Sequence, residues 1–160
     1  MPPFNHLHPA VVHFAIAPLT LAPLIVALGL FWSKQRRGIL GAALLLLLAG
    51  TVCAVLALLS GEAAERFARA TPELRAAVNF HEQIAQRTTV LFGVLTAFML
   101  ALWGLPLIRR KEGSASLERN LLILWLVLSL GGVALLLRTG HEGGRMVHDL
   151  HTHAYPVPDR

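Results

Sequence analysis

The sequence is poor in charged residues. Only 14% of its 160 residues are Asp, Glu, Lys or Arg, whereas a soluble globular domain has about 25%. This shortage, together with 55% hydrophobic residues, excludes a water-soluble globule. A bilayer core about 30 Å thick needs roughly 20 apolar residues per helix. The chain therefore has room for four passes and for no separate soluble domain.

Cysteine is almost missing as well. Cys53 is the one cysteine and lies in an apolar run, so the chain can form no internal disulfide. The Cys-x-x-Cys-His signature of covalently attached haem is absent. The N-terminus lacks the basic region of a signal peptide, so we expect the first apolar run to remain as a helix. No serine or cysteine nucleophile stands beside a base, and no internal repeat stands out.

Four long apolar segments are present instead. They predict an all-α protein, a four-helix transmembrane bundle that forms a single membrane domain over residues 1–160. Thr71, Pro72 and Glu73 are typical of a helix start, and Gly143 and Gly144 are typical of a helix end. The predicted helices cover about residues 9–32, 39–60, 72–108 and 120–139.

Loop charge predicts the sidedness of this bundle, because cytoplasmic loops carry excess Lys and Arg. The first and third loops hold seven basic residues against two acidic ones, and the remaining residues are balanced at seven and seven. Both termini and the second loop are therefore expected on the non-cytoplasmic side, in a multi-pass protein of a bacterial inner membrane. Since the basic residues serve topology, a nucleic acid partner is not expected despite a pI near 10.7.

All eight histidines fall on that same side. They come from three segments that are distant in sequence, so closing the bundle is expected to bring several of them together. His13 is the most informative, because it lies about one turn inside an apolar run, where a polar group is expensive and usually has a partner. The histidines are His6, His8, His13, His81, His141, His148, His151 and His153.

Grouped imidazoles indicate a cofactor or metal site, because histidine ligates haem iron, copper and zinc, and helix bundles build such sites between facing helices. The favoured ligands of a haem b are His13 and His81, followed by His141 and His148. The candidate metal ligands are His8, His13, His81, His141, His148 and His151. The candidate supporting residues, which would orient a ligand or pair with haem propionates, are Glu62, Glu82, Arg87 and Arg138.

Each of these residues also has a purely structural interpretation. His13 can be an interfacial histidine that bonds a backbone carbonyl, and Glu62 can be an ordinary charged helix end. His81 and Glu82 can belong to a solvated helix face, and His151 can simply be exposed near the terminus. The spacing of the histidines alone does not distinguish a haem from a single metal ion.

The residues Leu7-His8-Pro9-Ala10-Val11-Val12-His13-Phe14-Ala15-Ile16-Ala17 resemble the opening motif of the domain-of-unknown-function 2231 family of predicted membrane proteins. Weaker similarities follow at residues 60–64, at His81 and at residues 139–144. Ala15 stands where the family usually has proline, and residues 146–151 depart from the family's Leu-Val-Tyr and His-Gly pattern. The resemblance implies a four-helix membrane domain over nearly the whole chain, and similar domains beside cytochrome modules favour an electron-transfer setting.

We therefore predict a cytochrome b-like membrane redox protein, or an oxidoreductase subunit, that holds haem b near the periplasmic face. It would pass electrons between quinone and a periplasmic cytochrome or another redox partner. A membrane protein that binds copper or zinc without haem is the first alternative. The second is a cofactor-free structural subunit of a membrane complex, and a homo-oligomer is compatible with each of the three.

Overall fold

The computed structural model describes residues 7–68, 71–109 and 115–150. These residues form four α-helices and no strand, and each helix is long and apolar enough to cross a membrane, which confirms the predicted four-helix transmembrane bundle. A short 3-10 helix at Ser33–Gln35 joins the first two helices. The helices are α1 (His8–Phe31), α2 (Arg36–Ala68), α3 (Pro72–Arg109) and α4 (Ala115–His148).

The ends of α1 and α3 lie within one residue of the predicted ends. α3 shows why. It begins at Pro72 as predicted, and the Leu74 N–H donates to Thr71 Oγ1 at 3.2 Å. α2 continues eight residues beyond the predicted end at 60, because the Ala, Glu and Arg residues that follow the apolar run are strong helix formers. α4 continues nine residues beyond 139, and Gly143 and Gly144 lie inside it rather than ending it.

The helices form a closed square in cross-section. α1 packs on α2, α2 on α3, α3 on α4 and α4 on α1, so that α1 lies diagonally opposite α3, and α2 diagonally opposite α4. Consecutive helices run in opposite directions. The start of α1, the α2–α3 connection and the end of α4 therefore lie together, at what we call the histidine end because His8, His81, His141 and His148 are there.

The interior of the bundle is filled by large apolar side chains, among which Leu19, Leu47, Phe92 and Trp125 are fully buried. The indole N–H of Trp125 donates to the Leu95 carbonyl at 2.8 Å, so this buried donor is satisfied. Many other large apolar side chains point outward, as expected where lipid replaces water around the helices.

The two halves of the bundle repeat each other. Between Ala15 and Val26 every buried position of α1 has a buried counterpart in α3, at the separation of 73 residues that also relates His8 to His81. α2 and α4 are related in the same way at a separation of 82 residues. Between residues 40 and 54, Leu44 is the one buried position of α2 whose counterpart in α4 is not buried. The matched buried pairs are Ala15 and Thr88, Leu19 and Phe92, Ala22 and Leu95, Pro23 and Thr96, Val26 and Met99, Leu40 and Leu122, Ala43 and Trp125, Leu47 and Ser129, Gly50 and Gly132, and Ala54 and Leu136.

The helix contacts repeat as well. A Cβ atom at Gly50 would meet the side chain of Leu19, and a Cβ atom at Gly132 would meet that of Phe92, which is the counterpart of Leu19. The bundle is thus built from two equivalent helix hairpins, α1–α2 and α3–α4, around an approximate two-fold axis parallel to the helices. We refer to this relation as the hairpin repeat. The sequence does not readily reveal it, because eight of the ten matched buried pairs carry different residue types.

Candidate cofactor site

His8, the first residue of α1, is anchored to α2. Its Nδ1 lies 2.9 Å from the Ala57 carbonyl oxygen and 3.1 Å from Ser60 Oγ, while the buried Ser60 hydroxyl itself donates to the same carbonyl at 3.1 Å. A carbonyl oxygen only accepts hydrogen bonds, so the Nδ1 bonded to it carries the proton. In the neutral ring the lone pair is then on Nε2, the arrangement that metal-binding histidines use.

Glycine provides the space for this imidazole. A Cβ atom at Gly61 would lie 3.1 Å from His8 Cε1, which is tighter than ordinary van der Waals contact. Any other residue at this position of α2 would therefore require the His8 ring to shift.

His81 occupies the equivalent position in the second hairpin. It extends from α3 onto α4, where a Cβ atom at Gly143 would lie 3.2 Å from His81 Cε1. Thr139, which the hairpin repeat relates to Ala57, lies about one turn before Gly143 on α4. His8 and His81 therefore lie at equivalent positions of diagonal helices at the histidine end, one in each half of the bundle.

The surroundings of the two rings differ at one pair of positions. The hairpin repeat places Glu142 beside His81 where Ser60 lies beside His8. The Glu142 carboxylate also forms an ion pair with Arg145 at 3.2 Å. Within the described part of the chain, the buried Nδ1 atom of His81 has no hydrogen-bond partner. His81 is consequently the less constrained of the two histidines.

The other predicted haem ligands lie on the outside of the bundle. His13 is exposed, and its Nδ1 is 2.6 Å from the Pro9 carbonyl oxygen of its own helix. It follows His8 by five residues, which is about 140° around an α-helix, so the two side chains cannot point in the same direction. His141 and His148 are exposed on α4, and His151 lies outside the described residues.

The predicted supporting residues also lie away from the interior. Glu82 accepts a hydrogen bond from Gln86 Nε2 at 3.3 Å, and the Arg138 guanidinium lies 5.3 Å from the centre of the Phe80 ring. Glu62 and Arg87 are exposed.

Sequence reasoning missed four residues that do surround the two histidines. Ala57 and Ser60 bond His8, while Gly61 and Gly143 make space for the rings. The signal available for Ser60, Gly61 and Gly143 was their place in the segments that resemble the family, at residues 60–64 and 139–144. Nothing in the sequence distinguishes Ala57, which acts through its backbone.

The described residues do not assemble a larger ligand set. Across residues 7–68, 71–109 and 115–150, no group of three or more His, Cys, Asp or Glu side chains is placed to hold a metal ion. In this part of the chain the site therefore consists of two imidazoles, each with a glycine beside it.

Comparison with known proteins identifies a family and no close relative. No curated protein and no solved structure matches the chain. The family described as predicted membrane protein (DUF2231) matches residues 5–156, a range that includes all four helices and both histidine–glycine pairs. This match confirms the resemblance of the opening motif, and the chain belongs to the DUF2231 family of predicted membrane proteins.

Proposed function

We propose that the protein is a membrane-bound electron-transfer protein, or a subunit of an oxidoreductase, in which His8 and His81 are the axial ligands of a haem b. The observation that carries this proposal is the placement of two imidazoles at equivalent positions of diagonal helices, at one end of the bundle, each beside a glycine of the neighbouring helix. The partner of His81 is then His8 rather than His13, because His13 lies on the exposed side of α1.

The number of imidazoles favours haem over a single metal ion. The porphyrin supplies four nitrogens to its iron, so the protein needs to provide only the axial ligands. A zinc site takes three or four protein ligands, and copper sites are built from comparable sets. Since the described residues group no three such ligands, they support the copper or zinc alternative less well.

The residues around His8 suit a ligand role. The Ala57 carbonyl holds the Nδ1–H, so the ring orientation is fixed and the ring becomes more basic at Nε2. Gly61 and Gly143 remove the side chains that would otherwise fill the space next to the rings. When bound, haem b supplies one-electron redox chemistry, for which quinone and a periplasmic cytochrome or similar carrier are the partners we propose.

The wild-type protein provides the direct test. Expression with 5-aminolevulinate as a haem precursor, followed by purification in mild detergent, is expected to give a Soret band and about one haem per chain. Iron should then exceed copper and zinc in elemental analysis. A colourless protein with stoichiometric copper or zinc would instead establish the metal alternative. A colourless, metal-free protein that retains a partner on gentle extraction would establish the structural subunit.

We further propose that the histidine end faces the periplasm of a bacterial inner membrane, which the positively charged loops at the other end support. In a Cys53→Ala background, Glu73→Cys at the start of α3 is expected to react with a membrane-impermeant maleimide in intact spheroplasts. Ser33→Cys, between α1 and α2, is expected to react only after permeabilisation. The reverse labelling pattern would place the histidine end in the cytoplasm.

A further inference from the structure

The end of the bundle opposite the histidine end carries two arginines that are held by neighbouring helices. The Nε–H of Arg36 donates to the Gly29 carbonyl at 3.0 Å, which ties its guanidinium to the last turn of α1. The Arg37 guanidinium lies 5.2 Å from the centre of the Trp103 ring on α3, and its Nη2 donates to the Trp103 carbonyl at 3.5 Å. The Trp103 indole N–H donates in return to the Arg37 carbonyl at 3.2 Å. Two consecutive guanidiniums are thus positioned where α1, α2 and α3 meet.

Each guanidinium keeps most of its hydrogen-bond donors. Arginine has five N–H groups, and these contacts use one of them in Arg36 and one in Arg37. Across residues 7–68, 71–109 and 115–150, no carboxylate forms an ion pair with either arginine or with the exposed Lys34. Among the described residues these positive charges are therefore uncompensated, and an anionic group would complement them.

Aromatic residues place the two arginines at the depth of the lipid headgroups. Trp32 follows α1 directly and is 56% exposed, and Phe31 before it is 82% exposed. Trp103 lies at the same end of the bundle, on α3. Tryptophan is enriched at the interface between membrane and water, where its ring contacts the apolar region and its N–H the polar one. The anions that are abundant at this depth are the phosphates of lipids.

The second hairpin lacks this arrangement. The hairpin repeat relates Arg37 to Arg119, but the residue before Arg119 is Glu118 rather than a second arginine, and the counterpart of Trp103 is Leu30. The start of α4 therefore carries one positive and one negative charge and has no tryptophan across from it. A general need for positive charge at this end accounts for an arginine in both hairpins. It does not account for the tryptophan and the second arginine of the first site.

We propose that Arg36, Arg37 and Trp103 bind the headgroup of an anionic phospholipid. The lipid phosphate accepts hydrogen bonds from both guanidiniums, whose planar donor groups match its oxygens. The cation of a zwitterionic headgroup would be repelled by the same arginines, so the site favours a lipid with a net negative charge. Basic pockets between transmembrane helices bind anionic headgroups in this way. The proposal is independent of the haem site, because no histidine takes part in it.

Native mass spectrometry of the detergent-purified protein measures this binding, because each bound lipid adds its own mass. Dioleoylphosphatidylglycerol and dioleoylphosphatidylcholine would be titrated separately, since they share their acyl chains and only the first has a net negative charge. The wild type is expected to bind phosphatidylglycerol about tenfold more tightly, because more than one basic residue contributes. Arg37→Gln is expected to weaken the binding of phosphatidylglycerol about fivefold and to leave that of phosphatidylcholine unchanged.

The hairpin repeat supplies the controls. Arg119→Gln removes the same charge from the equivalent exposed position of α4 and is expected to bind phosphatidylglycerol like the wild type. Trp103→Leu installs the residue that α1 has at the equivalent position. It keeps every charge, but Arg37 loses the ring on which it stacks, so this variant is expected to bind phosphatidylglycerol more weakly. Circular dichroism would show that all three variants keep their helices.

Three results would overturn the proposal. The first is equal affinity of the wild type for the two lipids. The second is equal weakening by Arg37→Gln and Arg119→Gln, which would indicate attraction by net charge without a defined site. The third is wild-type affinity for phosphatidylglycerol in both Arg37→Gln and Trp103→Leu.

Discussion

Replacing His8 or His81 with alanine is expected to abolish the Soret band of the purified protein, whereas replacing His13 with leucine is expected to leave it in place. Each of the first two changes removes one of the two proposed haem ligands, and with it one of the two helices to which the proposed site is attached. His13 is exposed and faces away from the interior, so its loss leaves both proposed ligands intact. Absorbance spectra of the oxidised and dithionite-reduced proteins provide the measurement.

Two exposed histidines of the same end serve as controls for this experiment. His141→Ala and His148→Ala change an imidazole on the surface of α4 and should retain the full haem content. Circular dichroism and size-exclusion chromatography would show that all variants keep their helices and their size. Loss of the band in His13→Leu, with retention in His8→Ala, would contradict the proposed pair His8 and His81 and favour the pair predicted from the sequence, His13 and His81.

The second large effect is expected at Gly50, where α2 packs closely on α1. A Cβ atom at Gly50 would lie 2.7 Å from the Leu19 side chain and 3.3 Å from the Leu19 backbone nitrogen. Gly50→Ala therefore forces α1 and α2 apart, and overpacking of this kind lowers the free energy of unfolding by about 1–3 kcal/mol. The midpoint of thermal unfolding in detergent should fall accordingly.

Gly131→Ala is the matched substitution, since the described structure places no side chain or neighbouring helix within 4 Å of the added Cβ atom. Alanine favours the helical conformation over glycine by up to about 1 kcal/mol, so this variant should unfold at the same temperature as the wild type or higher. If Gly50→Ala proved as stable as Gly131→Ala, the α1–α2 contact at Leu19 would have enough freedom to relax, and the tight packing described above would be refuted.

The fold was predictable from the sequence because its main determinant is the length of the apolar segments, which can be counted directly. The site was predictable only in part, and the reason is helix rotation. A membrane helix is apolar on nearly all sides, so the pattern of residues does not show which side faces the interior. His13 was favoured because of its depth in the apolar run, but the rotation of α1 directs His8 inward instead.

Contacts between helices were less predictable still. Gly61 follows the predicted end of the second helix and Gly143 is typical of a helix end, yet both lie inside helices, where they make space for an imidazole on a neighbouring helix. Such a role depends on a partner that is 53 or more residues away in the chain. The hairpin repeat is hard to detect in the sequence for a related reason, since most matched positions share their burial rather than their residue type.

The hairpin repeat has a consequence for the history of the chain. Since the start of α1, the α2–α3 connection and the end of α4 share one end of the bundle, a chain in the order α3, α4, α1, α2 would trace the same architecture. Each hairpin corresponds to one subunit of a two-fold homodimer, as expected if a short ancestral hairpin was duplicated and fused. After such a fusion the two halves can diverge in sequence. Pro18 and His13 occur only in the first hairpin, and Glu142 takes the place of Ser60 in the second.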